Sequence, residues 1–206
     1  MDAVPGVILA GGRASRMGGG DKGERLIAGA SLMERVIARL GPQCDGLAIN
    51  ANGEPARLAA YGLPLLPDTI ADHPGPLAGV LAGLDWAAHR GADAVVTVAV
   101  DTPFVPRDLV ARLQASAGDE GLALAASPGA DGVIRRHPTC GLWPVALRED
   151  LRAAVQGGLG KIVLWTDRYG AGRAEWPSTP VDPFFNVNTP EDLAEAERLA
   201  AILGKI

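Results

Sequence analysis

Val4-Pro5-Gly6-Val7-Ile8-Leu9-Ala10-Gly11-Gly12-Arg13-Ala14-Ser15-Arg16-Met17-Gly18-Gly19-Gly20-Asp21-Lys22 joins a short apolar run directly to a loop of glycines and cations. Val4 to Leu9 reads as a strand buried on both faces, because the run is apolar without alternation. Gly11 and Gly12 carry no Cβ, so the backbone can approach a ligand closely and turn its N–H groups inward. Arg13, Arg16 and Lys22 bring positive charge to the same loop. Amides plus three cations at a strand end suit a triphosphate; glycines alone would read as an ordinary surface loop.

The elements that follow alternate. Leu32 to Leu40 has helical spacing through Met33, Val36, Ile37 and Leu40, with Ser31 as its cap and Gly41-Pro42 as its stop. Gly46 to Ala51 and Leu63 to Leu66 are strands, Pro76 to His89 a helix, and Ala92 to Val100, rich in Val, the clearest strand. That alternation predicts a mostly parallel sheet with helices on both faces, a three-layer α/β/α sandwich of Rossmann-like type. Ligands of such sheets bind beyond the carboxyl ends of the strands. Gly11 to Lys22, Asn50-Ala51-Asn52, Asp68 and Asp101-Thr102 all lie at such ends.

Further along, Pro106 opens a helix through Leu109 and Leu113, and Leu122 to Ala126 is a strand. Asp131-Gly132 makes a hairpin turn before Val133 and Ile134. Thr139 to Trp143 reads as a separate strand, followed by a helix from Pro144 to Val155. Residues 156–185 give no clear pattern. The last helix is capped by Thr189, with Pro190 in its first turn and Asp192 completing a capping box. The expected organisation is one domain over residues 1–206, with a nucleotide-binding half to about residue 105 and a second-substrate half beyond it.

Composition narrows the function. The 206 residues carry a formal charge of −5, which opposes a general nucleic-acid-binding role because a polyanion needs a basic face. Apolar runs are shorter than a membrane span, and Met1-Asp2 opens no secretory signal, so a cytoplasmic protein without membrane contact is expected. Cys44 and Cys140 are far apart, without metal-ligand spacing, and read as buried thiols.

Two nucleotide loops are excluded. A dinucleotide fingerprint opens a helix at once, whereas about twenty residues separate Leu9 from the first helix cap. A Walker loop needs a hydroxyl after its Lys, and Gly157-Gly158-Leu159-Gly160-Lys161 is followed by Ile162.

Leu9-Ala10-Gly11-Gly12, then Arg16-Met17-Gly18-Gly19, then Asp21-Lys22-Gly23 resemble the signature of molybdenum cofactor guanylyltransferases. Asn50-Ala51-Asn52, Asp68 with Asp72, Pro74-Gly75-Pro76-Leu77-Ala78-Gly79, Asp101-Thr102-Pro103, His137-Pro138-Thr139 and Asn186-Val187-Asn188-Thr189-Pro190 follow in the family's order over nearly the whole chain. The resemblance implies a nucleotide-diphospho-sugar transferase fold. It also implies transfer of GMP from GTP to molybdopterin or its molybdenum-loaded form, with release of pyrophosphate. Where many members have Gly-Lys-Pro-Leu, this chain has Gly29-Ala30-Ser31-Leu32.

On that reading Mg2+ bridges carboxylate and phosphate oxygens, and Asp101, at the end of an apolar strand, is its ligand. The alternative is a turn-capping Asp. Lys22 would sit on the triphosphate and Arg16 on the leaving pyrophosphate. Leu9, Ala10, Gly11 and Gly12 would line the nucleoside pocket with Asn50. Asp68 would accept from the guanine edge, or else serves as a loop residue. Asn186 and Asn188 would hold the second substrate or a second metal, or form an Asx turn. His137 would contact the pterin phosphate, or is structural. Lys161 and Arg135 are further anion partners, and the four tryptophans are packing residues. The resemblance extends to transient contact with molybdoenzymes or cofactor-insertion proteins. A cytidylyltransferase on the same fold is the nearest rival, although its first motif typically resembles Leu-Ala-Ala-Gly. A non-catalytic pterin carrier would not need Arg16, Lys22 and Asp101 together.

Overall fold

A computed structural model describes residues 4–11, 22–70 and 75–204 of the chain. Its main sheet has seven strands in the order β5-β4-β1-β6-β8-β7-β9. They are β1 (Gly6–Leu9), β4 (Leu47–Asn50), β5 (Leu65–Leu66), β6 (Ala94–Ala99), β7 (Ala123–Pro128), β8 (Ile134–Pro144) and β9 (Gly172–Glu175). β1 pairs in parallel with β4 on one side and β6 on the other, and β8 runs antiparallel between β6 and β7. A small hairpin, β2 (Leu26–Ile27) with β3 (Ala30–Ser31), stands apart.

The helices are α1 (Leu32–Leu40), α2 (Pro76–His89), α3 (Leu109–Ala115), α4 (Arg148–Gln156), α5 (Ile162–Thr166) and α6 (Pro190–Leu203). Side chains alternate across the sheet, so adjacent strand residues serve opposite cores. Ile8, Ile49, Val96 and Val98 pack with Met33, Val36 and Leu40 of α1 and with Leu109 and Leu113 of α3. Val7, Leu9, Ala48 and Val95 pack on the other face with Leu77, Leu81 and Leu84 of α2 and with Leu151 and Trp165. The expected three layers are therefore present. Trp143 and Trp165 are wholly buried in the second core, their ring centroids 6.2 Å apart. Each such side chain contributes about 1.5–3 kcal/mol or more by leaving water.

The capping signals act as read. Ser31 accepts from Glu34 N–H while the Glu34 carboxylate reaches back to Ser31 N–H, and Thr189 and Asp192 do the same for α6. Ser31 thus gives α1 a capping box.

Three assignments need correction. Pro106 and Pro144 do not open helices: α3 begins at Leu109 and α4 at Arg148, and Pro144 is the last residue of β8. Val133-Ile134 and Thr139–Trp143 do not belong to separate elements; Ile134–Pro144 is one strand of 11 residues. Its register against β7 shifts between Leu124 and Ala125, opposite the stretch containing Pro138. Pro has no N–H for the ladder, and a bulge accommodates it. Residues 156–185, without pattern in the sequence, contain α5 and β9.

From β1 the chain moves outward to β4 and β5, then returns across to β6 on the other flank of β1. The strand order therefore reverses between β1 and β6. Such a switch point opens a crevice at the carboxyl ends of the two strands, and Ala10 and Asp101 stand there.

Candidate active site

Three residues from distant parts of the chain meet at this crevice. Lys22 Nζ donates to Asp101 Oδ2 at 2.5 Å and to Asn188 Oδ1 at 2.6 Å. β6 sets Asp101, because Val95, Val96 and Val98 fix the strand in the two cores and the chain turns immediately beyond it. The loop before α6 is docked on that turn: Val187 N donates to Asp101 O at 2.9 Å, and the Thr102 hydroxyl donates to Asn186 Oδ1 at 3.1 Å. Asn186 and Asn188 are therefore both at the edge but face different partners. Asn188 turns its oxygen to a cation, while the oxygen of Asn186 is engaged by Thr102.

On the other side of β1, Asn50 and Asp68 form a second polar group. Asn50 is 3% exposed, and its Nδ2 donates to Leu66 O and to Asp68 Oδ1, each at 2.9 Å. Asn52 holds Asp68 from both ends: its Nδ2 donates to Asp68 Oδ2 at 2.7 Å, and its Oδ1 accepts from Asp68 N–H at 2.9 Å. Ala10 N donates to Asn50 O and Val100 N to Leu9 O, which ties the three strand ends together. A Cβ on Gly79 of α2 would lie 2.9 Å from Asn50 Cγ and 3.1 Å from Leu9 Cδ2, and closer still to Asn50 Oδ1. Only a residue without Cβ lets α2 seat against Asn50. A Cβ on Gly11 would make ordinary contact at 3.9 Å, so Gly11 is not required by its described neighbours.

Gly12, Arg13, Arg16 and Asp72 lie outside the described residues. Arg135 is engaged by Asp131, and that ion pair holds the Asp131 carboxyl well below its usual range. His137 sits on β8 against Ser127 and Phe184. Both thiols are unpaired, and burial pushes each up to about 12, so neither serves as a nucleophile. Among the described residues no group of three or more His, Cys, Asp or Glu is placed to hold a metal by itself.

A family model described as MobA-like NTP transferase domain matches residues 6–169. A molybdenum cofactor guanylyltransferase from Bradyrhizobium sp. (strain ORS 278) is 59% identical over 205 residues, covering 97% of this chain and 94% of the relative. This chain belongs to the molybdenum cofactor guanylyltransferase family. It is an enzyme, a nucleotidyltransferase.

A second guanylyltransferase, from Nitrobacter hamburgensis, is 53% identical over 97% of this chain and 95% of its own length. Among solved structures, molybdopterin-guanine dinucleotide biosynthesis protein A from Archaeoglobus fulgidus superposes with a TM-score of 0.73 at 23% identity, covering 97% of this chain and all of that one. The 2-C-methyl-D-erythritol 4-phosphate cytidylyltransferase of Thermus thermophilus gives 0.71 at 22% identity, covering 98% of this chain and 100% of that one. At these identities the two structures share the fold of the guanylyltransferase chain and nothing finer.

Sequence reasoning missed the supporting residues of this candidate site. Asn52 is visible in the sequence as half of an Asn-Ala-Asn motif, but only the fold shows that it clamps Asp68. Thr102 and Gly79 also lie within quoted motifs; the signal was their position beside Asp101 and in the first turn of α2.

Proposed function

We propose that the β1–β6 crevice carries guanylyl transfer from GTP to the terminal phosphate of molybdopterin or its molybdenum-loaded form, with pyrophosphate as second product. The observation that supports it best is the meeting of Lys22, Asp101 and Asn188 at the switch point in a chain of this family. Phosphoryl-type transfers need positioning and charge neutralisation more than a protein nucleophile. A cation, a carboxylate and an amide oxygen at one point answer that need.

The donor set fits magnesium. Asp101 Oδ2 and Asn188 Oδ1 already converge on one positive charge, the Lys22 ammonium, at 2.5 and 2.6 Å. Magnesium takes oxygen ligands, commonly one or two carboxylates with phosphate and water completing the shell. When bound, the ion would neutralise phosphate charge. Lys22 would then meet the triphosphate as a point charge. Arg16 holds the departing pyrophosphate. Leu9, Ala10, Gly11 and Gly12 present backbone to the nucleoside. Asn50 and Asn52 hold Asp68, whose carboxylate accepts from guanine N1–H and N2–H₂. The half of the sheet beyond β6, with Asn186, takes the pterin phosphate.

The test is nucleotide choice. Purified protein with molybdopterin and magnesium should form the dinucleotide from GTP at least a hundredfold faster than from CTP. Preference for CTP would transfer the chain to the cytidylyl reading.

A further inference from the structure

Beyond β6 the sheet edge carries a hydrogen-bonded row that the scheme above does not use. Asp182 Oδ1 accepts from Ser127 Oγ at 3.1 Å and from Phe184 N–H at 3.0 Å. Ser127 Oγ in turn lies 2.7 Å from His137 Nε2, and the His137 ring stacks on Phe184 with centroids 4.5 Å apart. Ser127, at the centre of the row, is 1% exposed, while His137 and Asp182 on either side of it are partly buried.

The direction of each bond follows from chemistry. An ionised carboxylate has only lone pairs, so the single Ser127 hydroxyl hydrogen is committed to Asp182. The Ser127 oxygen then accepts, and His137 Nε2 must carry a hydrogen. In a neutral imidazole Nδ1 is therefore the bare nitrogen. No described residue hydrogen-bonds to it.

The row flanks the transfer site. β8 runs antiparallel to β6 with Gly141 opposite Thr97, and Thr97 Oγ1 donates to Thr139 O, so residues before Thr139 continue toward the level of Asp101. Phe184 stands two residues before Asn186, in the loop that Asp101 and Thr102 hold. His137 thus lies on the flank of Asp101 away from β1.

We propose that His137 Nδ1 is the proton acceptor for the second substrate, a phosphate monoester, and that Ser127 and Asp182 are positioning residues that fix its tautomer. This rests on the nucleotidyl-transfer reading above. In the step, the hydrogen of the monoester P–OH passes to Nδ1. The freed oxygen forms the new bond to the α-phosphorus, the α–β bridging bond breaks, and pyrophosphate leaves with that electron pair. A phosphate monoester has its second pKa near 6, so a share of the substrate carries this hydrogen just below neutrality. Burial holds His137 below its ordinary value, against an opposing pull from Asp182, which keeps the ring neutral and able to accept. The neighbouring charges are accounted for. Arg135 and Arg136 on β8 are paired with Asp131 and Asp167, the Lys22–Asp101 pair closes the end of β6, and Ser127, Pro128 and Phe184 bring none.

The experiment compares wild type, His137→Gln and Asp182→Asn with GTP and molybdopterin across pH, alongside ¹⁵N NMR of the wild-type ring. Gln keeps an N–H for Ser127 but has no basic nitrogen. The expected result is about a fourfold fall in kcat for His137→Gln at pH 5.5, where roughly three-quarters of a monoester with a second pKa near 6 still carries its proton, vanishing toward pH 8.5, where the substrate has already lost it. KM for GTP should stay within twofold. Asp182→Asn should show a smaller deficit of the same pH form. The neutral wild-type ring should carry its hydrogen on Nε2. A deficit equal at all pH values, no deficit, or a neutral ring protonated on Nδ1 would overturn the proposal. The ring measurement decides even if a variant does not fold. Absence of wild-type turnover on GTP would instead refute the functional reading.

Discussion

Lys22 and Asp101 stand 79 positions apart in sequence and 2.5 Å apart in space, a cation from the loop after β1 against a carboxylate at the end of β6. Their side chains are only 13% and 19% exposed, so each keeps the other from being a half-buried lone charge. The sequence suggests a bare carboxylate in need of a cation; the fold supplies one from the phosphate loop itself. Lys22→Ala should weaken GTP binding by at least tenfold, about 1.4 kcal/mol. Titration calorimetry checks this, and unchanged affinity would remove Lys22 from the triphosphate site.

Gly79→Ala sets two effects against each other. Ala gains roughly 1 kcal/mol over Gly in helix propensity. The added Cβ, however, meets Asn50, which cannot retreat because Leu66 O and Asp68 hold its amide. Overpacking of this kind costs about 1–3 kcal/mol, so the collision should win. We expect a modest fall in Tm and at least tenfold weaker GTP binding, measured by melting and by titration on the same preparation. Better stability with full GTP affinity would show that the helix and Asn50 are not in this contact.

The elements with local signals were legible in sequence. α1 and α6 announce their starts through Ser31 and Thr189, and β6 announces itself through Val95, Val96 and Val98, broken only by Thr97. β8 was not legible as one strand because Pro138 breaks its pattern and the compensating bulge belongs to the pairing with β7. At the site, the residue types were legible, but their meeting was not: Lys22 and Asn188 are 166 positions apart. Asn52 offers no local sign that it holds Asp68, since that contact exists only once β4 and β5 pair.

Thr97 is fully buried and links two elements of the core. Its hydroxyl donates to Thr139 O and accepts from Trp143 Nε1 at 2.8 Å. Thr97→Val keeps the volume but strands a buried indole N–H and a carbonyl. An unsatisfied group of this kind costs about 1–3 kcal/mol. Chemical denaturation should register that loss, while KM for GTP stays unchanged because the defect lies away from the β1–β6 crevice.

Stability should also depend on pH through His137. Burial lowers its folded pKa below the ordinary value near 6.5, so the unfolded chain binds the proton more readily. Stability is therefore full above about pH 6.5 and declines as pH falls from there through the folded value. Denaturation at pH 5.5 and 7.5 should show this difference in wild type and a smaller one in His137→Gln. An equal difference in both would place the titration elsewhere.

Asp101, at the end of β6, is the residue on which the proposed guanylyl transfer depends most. Asp101→Asn keeps the size and one acceptor oxygen but removes the charge that would hold magnesium, and electrostatic losses of this kind are commonly worth ~3–4 kcal/mol. The measurement is the rate of dinucleotide formation from GTP and molybdopterin with magnesium, with a melting curve on the same variant. A loss of a few hundredfold is expected, with Tm changed by only a few degrees, the small shift reflecting the lost partner of Lys22. Turnover near the wild-type rate in a folded Asp101→Asn protein would contradict it.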